Sequence, residues 1–160
     1  MAEKLEVQIG EALRAQAHTL ALGESCTGGL VGHRITQVPG SSEYFLGGVV
    51  AYSYEAKERL LGVHHRTLYE HGAVSRETAI EMAHGARLAF GADYGLSVTG
   101  IAGPAGGLPG KPVGLTWIAV SSRQGERSEE HVWQGDRQAN KERSAEAALL
   151  LLLRVLEDKA

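Results

Sequence analysis

The sequence predicts an α/β sandwich on a mixed sheet of about five strands, and two observations carry that expectation. Short apolar segments suited to strands buried on both faces alternate with segments whose apolar residues recur at helical spacing. Toward the C-terminus, two strand-like segments at 113–121 and 128–134 follow one another with no helix between them. They can pair only as a hairpin, so the sheet cannot be purely parallel.

The elements follow in order. Leu5, Ile9, Ala12 and Leu13 open the chain at helical spacing, with Glu3, Lys4, Glu6 and Glu11 on the other faces. Residues 19–22, Thr-Leu-Ala-Leu before Gly23, read as a first strand. A glycine-bearing turn from Gly23 to Gly29 leads into a helix over 30–38, where Leu30, Val31, Ile35 and Val38 keep the helical period. Pro39-Gly40-Ser41-Ser42 is a turn by composition, and 44–52 reads as the second strand. Ser53 caps a helix through Ala56, Leu60 and Leu61 that stops at Gly62. Residues 64–72 are irregular or a short helix, and Ser75, with Glu77 in the first turn, caps a helix over 76–90 that ends before Gly91. A third strand at 94–99 precedes a loop over 100–112 that holds five glycines and three prolines. The terminal hairpin turns around Gln124-Gly125, and a helix over 140–158, rich in Ala, Leu, Glu and Arg, closes the chain.

Composition bounds the function. The 160 residues, 43% apolar and 22% charged, fit one domain over 1–160 whose core needs neither disulfide nor metal. A lone cysteine, Cys26, excludes a disulfide framework and fits a reducing compartment. With a formal charge of −3 and no Lys/Arg run, direct nucleic-acid binding and attraction to anionic membranes are not expected. The longest apolar run, Ala147 to Leu153, has seven residues where a bilayer needs about 20, and the segment from Met1 to Lys4 lacks a leader's apolar stretch. A cytoplasmic location is expected. Leu149 to Leu153 reads as a helix buried on several faces or as a subunit contact, and a homo-oligomer is expected. Glycine is in excess, 21 residues against an average of about 7%, and clusters in loops.

Two constellations carry chemistry. Gly23 and Gly28 have the outer spacing of a phosphate-binding P-loop, but Gly29 and Leu30 stand where Lys and Ser/Thr are required. The turn instead presents two nucleophile types, Ser25 and Cys26, at the C-terminal end of a strand, where α/β sheets collect ligands. The plain alternative is a tight turn with Thr27 as a helix cap. Ser25 lacks a Gly-x-Ser-x-Gly elbow and an assignable Asp/His pair, so a hydrolase triad is unsupported. Tyr52, at the end of the second strand, and Lys57, about one turn into the next helix, can face the same cleft edge. A desolvated lysine loses its proton near neutral pH and a tyrosine can relay it; a solvated helix lysine is the alternative. His64, His65 and His71 are loosely spaced and complete no metal site, so no metal and no cofactor is expected. Cys26 at a helix start could favour its thiolate.

Five segments, in order, carry a resemblance over nearly the whole chain: Glu24-Ser25-Cys26-Thr27-Gly28-Gly29, Tyr52-Ser53-Tyr54-Glu55-Ala56-Lys57, His71-Gly72-Ala73-Val74-Ser75, Thr99-Gly100-Ile101-Ala102-Gly103-Pro104 and Lys111-Pro112-Val113-Gly114. Together they resemble the CinA C-terminal domain family. That resemblance implies a three-layer α/β/α sandwich with a mixed, mainly parallel sheet. It implies a nicotinamide-nucleotide amidase that converts nicotinamide mononucleotide to nicotinate mononucleotide and ammonia. By the same likeness Ser25 is the nucleophile, Lys57 the general base, Tyr52 the positioning or relay group, and Cys26 a packed neighbour.

For the oxyanion, backbone N–H groups between Ser25 and Gly29 are the candidates, which includes Thr27, Gly28 and Gly29. For the mononucleotide's phosphate and ribose, Gly100, Ile101, Ala102 and Gly103 can supply backbone donors. Arg137, in a Gly135-Asp136-Arg137 element that resembles the family's, can pair with phosphate or be a surface salt-bridge residue. The chain departs from the family pattern at Ala105, where many relatives carry Asp, and at Leu115, where Thr is usual, so a carboxylate contact in the loop is missing. Beside the amidase stand two other readings, an amidase for a different amide and a non-catalytic module linked to competence and DNA damage.

Overall fold

The computed structural model describes residues 2–158, so Met1, Lys159 and Ala160, the ends of the expected 1–160 domain, lie outside the described residues. Along the chain run α1 (Leu5–Gln16), β1 (Leu20–Glu24), α2 (Leu30–Thr36), a 3-10 turn (Ser41–Glu43), β2 (Phe45–Val50), α3 (Tyr54–Leu61), α4 (His65–His71), α5 (Arg76–Phe90), β3 (Tyr94–Gly100), β4 (Leu115–Ser122), β5 (Gly125–Val132) and α6 (Arg137–Asp158). The strands form one sheet in the order β2-β1-β3-β4-β5. β1 pairs in parallel with β2 and β3, while β4 pairs antiparallel with β3 and with β5. β4 alone is therefore reversed, and the sheet is mixed with four strands pointing one way. Helices α1, α2 and α6 cover one face and α3, α4 and α5 the other, which makes the three layers.

The two faces are packed differently. On the α6 side, Leu20, Leu22, Leu96, Val98, Ile118 and Val120 of the sheet meet Ile9 and Leu13 of α1, Val31 and Ile35 of α2, and the apolar stripe of α6. Leu149, Leu151, Leu152 and Leu153 are all buried there, and Leu150 alone is exposed, so the leucine run is covered by its own chain. On the α5 side Leu61, Leu68 and Met82 are buried, but the sheet's own contribution is small: Ala21 and Ala119 lie with Ala79, Ala83 and Ala86. Backbones come so close that a Cβ on Gly95 would lie 2.0 Å from the Ala83 carbonyl oxygen, and one on Gly85 would lie 1.6 Å from that of Leu61. Part of the glycine excess is therefore close packing rather than loop.

The helix caps are as the sequence indicates. Ser53 and Ser75 accept hydrogen bonds from the Ala56 and Thr78 N–H groups, and Gly62 and Gly91 end α3 and α5 in the left-handed conformation. Residues 65–71 form α4, the short-helix alternative for that segment. Two elements differ most at their starts. β5 starts at Gly125, because pairing with β4 continues to the Ser122/Gly125 register next to the turn; Glu126 and Arg127 can occupy the strand since it is an edge. α6 starts at Arg137, three residues before the predicted Asn140, because Asp136 caps it by accepting the Ala139 N–H at 2.9 Å. No helix among the described residues is long and apolar enough to cross a membrane.

Candidate active site

The C-terminal ends of β1 and β2 build the site. β1 ends at Glu24, and the chain turns at Ser25, whose N–H donates to the Val98 carbonyl of β3. β2 ends at Val50, and Ala51 donates its N–H back to the Glu24 carbonyl before Ser53 starts α3. This fastening sets the α3 residue Lys57 under the turn. Its Nζ donates to Ser25 Oγ at 3.0 Å and to the Ala51 carbonyl at 2.9 Å.

Lys57 is 1% exposed, Ser25 7%. Burial away from water pushes the lysine from 10.5 down to about 8; Cys26 opposes the shift, and no carboxylate among the described residues pairs with it. A substantial share of neutral amine is therefore present near physiological pH, and its lone pair is within reach of the Ser25 proton. Spacing places Lys57 with Tyr52, and only the family resemblance pairs it with Ser25; the structure brings Ser25 and Lys57 into contact.

Glu24 has no role in the sequence reading. It is 4% exposed, and its carboxylate accepts four hydrogen bonds: Thr27 Oγ1 at 2.6 Å, Gly29 N–H at 3.2 Å, Val31 N–H at 3.0 Å and Gly32 N–H at 2.9 Å. The available signal was a charge closing a strand buried on both faces, which must be partnered to be tolerated. Glu24 occupies the donors at the start of α2, so an external anion finds them taken.

This corrects the oxyanion expectation in part. Gly29 N–H serves Glu24, and Gly28 N–H serves the Ser25 carbonyl at 3.0 Å. Apart from the approach of the Cys26 N–H to its own thiol, the N–H groups of Cys26 and Thr27 make no hydrogen bond among the described residues, and they lie directly after Ser25. They are the turn's donors that remain open to an external acceptor. The Thr27 side chain faces inward to Glu24.

Of the two readings of Cys26, the geometry favours the packed neighbour over the thiolate. Burial pushes the Cys26 thiol up to about 12, with the Glu24 charge adding to the effect, so no thiolate forms near neutral pH. Its Sγ packs against Gly100, where a Cβ would lie 3.1 Å away.

Tyr52 is placed elsewhere than beside the pair. Its side chain is exposed, and its hydroxyl accepts from Arg137 Nη2 at 3.0 Å; it makes no hydrogen bond to Ser25 or Lys57. Arg137 Nη1 donates to the Gly103 carbonyl at 2.8 Å, so this residue straps the end of β2 to the glycine loop. Asn140, which sequence reasoning missed, donates to the Ala102 carbonyl at 3.0 Å. Of the predicted loop donors, Ile101 N–H is engaged by the Leu115 carbonyl and Gly100 belongs to β3. The N–H groups of Ala102 and Gly103 carry no hydrogen bond among the described residues. Ala105 is exposed, and Leu115 is buried as the first residue of β4. Of the three histidines singled out, His64 is beside Glu81, His65 beside Glu58 and His71 beside Glu77, and none of them hydrogen-bonds to Ser25 or Lys57.

A mixed α/β/α sandwich that buries a Ser–Lys pair where β1 and β2 end belongs to the open-sheet proteins with their site at the strand ends. The CinA C-terminal domain model matches residues 2–156, and the chain belongs to that family. CinA-like proteins from Salinibacter ruber and Chloroherpeton thalassium are both 51% identical to it, over 91% and 95% of this chain but 35% and 37% of theirs. The chain thus spans about a third of the length of these curated relatives. Among solved structures, the competence/damage inducible protein CihA from Agrobacterium tumefaciens is 38% identical with a TM-score of 0.89, covering 96% of this chain and 93% of its own. A CinA superfamily protein from Klebsiella pneumoniae is 32% identical with a TM-score of 0.92, covering 96% of both.

Proposed function

We propose that this chain is an amidase that hydrolyses the carboxamide of nicotinamide mononucleotide to nicotinate mononucleotide and ammonia. One observation carries the reading: a buried lysine, held partly neutral by desolvation, in hydrogen-bond contact with a serine at the ends of parallel strands. Lysine in this state is a general base rather than an ion-pair partner.

The steps balance on these groups. Ser25 Oγ attacks the carboxamide carbon while its proton passes to Lys57 Nζ. The oxygen of the tetrahedral adduct takes up negative charge opposite the Cys26 and Thr27 N–H groups. As the adduct collapses, Lys57 returns the proton to the departing nitrogen; ammonia leaves and a nicotinoyl ester of Ser25 remains. Water, deprotonated by Lys57, attacks that ester, and the carboxylic acid leaves as Ser25 regains its proton. Tyr52, fixed by Arg137, lies at the rim as a candidate contact for substrate rather than as a relay to Lys57.

The reading is tested by ammonia release from nicotinamide mononucleotide with wild type and Ser25→Ala. Release by wild type alone supports it. No release from the mononucleotide, nicotinamide riboside, nicotinamide or NAD rejects it in favour of a binding module or a different amide.

A further inference from the structure

We infer that Lys141, a residue that neither the motifs nor the family match singles out, anchors the anionic group of the substrate, here a phosphomonoester. The inference rests on the amidase reading for the identity of that substrate. It starts from an open pocket of about 510 Å³ lined by Leu30, Arg137, Gln138, Lys141 and Glu142, a volume suited to a small organic ligand. Leu30 opens α2 directly after the Ser25–Gly29 turn, and Arg137 holds Tyr52 and Gly103, so the pocket adjoins the candidate active site.

Within that pocket the cations are not equivalent. Arg137 is engaged through both Nη atoms by groups of its own chain. Lys141 makes no hydrogen bond or ion pair among the described residues, although it is partly buried. Its Nζ reaches over Gly28, 3.8 Å from where a Cβ would stand, and its charge is felt at Cys26, next to the nucleophile. No side chain on Gly28 separates it from the turn.

Two of the other polar groups lining the pocket or the start of α6 are engaged within the chain. The start of α6 is capped by Asp136, which removes the Ala139 N–H from competition. Glu142 lines the same pocket but leaves the helix roughly 100° around from Lys141, and Gln138 Nε2 holds its carboxylate at 3.1 Å. A side chain of intermediate burial whose ammonium has no partner among the described residues, set beside the turn, is what a phosphate dianion requires, and a charge-assisted contact of this kind is among the stronger single interactions available to a ligand.

The test separates this inference from the amidase reading by using a probe that needs no turnover. Ribose 5-phosphate binding to wild type, Lys141→Met and Lys141→Arg is measured by titration calorimetry, with thermal melts to verify folding. Wild type is expected to bind, Lys141→Met to bind about 10- to 100-fold more weakly, and Lys141→Arg to retain most of the affinity. In parallel, the ratio of kcat/KM for nicotinamide mononucleotide to that for nicotinamide riboside should fall by a similar factor in Lys141→Met. Absence of hydrolysis with intact, Lys141-dependent ribose 5-phosphate binding rejects the amidase reading and keeps the anion site. Undiminished binding by folded Lys141→Met, or none by wild type, overturns the Lys141 assignment.

Discussion

Lys57 Nζ and Ser25 Oγ, from residues 32 apart in sequence, meet at 3.0 Å inside the protein, and the Ala51 carbonyl supplies the lysine's other hydrogen bond. Because the lysine has no carboxylate partner among the described residues, the proposed function reads the pair as a base with its nucleophile. That relationship determines most of what can be measured.

Ser25→Ala removes the attacking oxygen while leaving Lys57 its Ala51 contact. Ammonia release should fall at least about 10³-fold, with a far-ultraviolet spectrum and melting temperature close to wild type. Substantial residual release would place the nucleophile elsewhere.

The pH profile should follow Lys57. With the amine at about 8, the active neutral form grows roughly tenfold per pH unit below that value, so kcat/KM should climb from pH 6 and level off above about 8. Lys57→Arg should not restore activity, because a guanidinium stays protonated throughout. A flat profile from 6 to 9 would remove Lys57 as the base.

Stability carries the same signature with a definite sign. The folded value is depressed below 10.5, so protonation of the unfolded chain pulls against folding below about 8, and that penalty fades as pH rises toward 10.5. Lys57→Met lacks the penalty. Its melting temperature relative to wild type should therefore decline between pH 8 and 10.5, and a constant difference across that range would contradict the burial effect.

Glu24→Gln tests the fastening of the turn. An amide in place of the carboxylate sets an N–H₂ group against donors from Gly29, Val31 or Gly32, leaving a buried group unsatisfied. Chemical denaturation should show a loss of about 1–3 kcal/mol, and kcat should drop more than KM rises. Wild-type values for both would show that the carboxylate is dispensable.

Cys26 should be inert. With its thiol pushed up to about 12 and its sulfur packed on Gly100, iodoacetamide should label the native protein far more slowly than the denatured one at pH 8. Cys26→Ala should retain most of the activity. Rapid native labelling would show that the turn opens.

Much of the architecture was legible because local signals agreed. The caps at Ser53 and Ser75, the stops at Gly62 and Gly91, and the both-faced burial of β1 each follow from residue chemistry. β5 was shortened at its start because Glu126 and Arg127 look like turn residues unless the strand is known to be an edge. In the site, Ser25 and Lys57 were readable as reactive types at strand and helix ends. Glu24, Asn140 and Lys141 were not, since their roles depend on which backbone groups the fold brings within reach. Tyr52 was placed with the base on sequence proximity, whereas Arg137, 85 residues later, claims its hydroxyl.

The contrast between the two helical layers has an evolutionary consequence. Where α5 lies against β3 and α3, main-chain atoms are the contact surface, so the positions of Gly85 and Gly95 admit no heavier residue without separating the elements. That side can drift only among residues no larger than those present. The leucine-rich α6 side is made of exchangeable side chains, and compensating swaps of Leu, Ile, Val and Met can accumulate there. Efforts to raise the thermal tolerance of this protein by redesign should begin with α6 and leave the α5 layer alone.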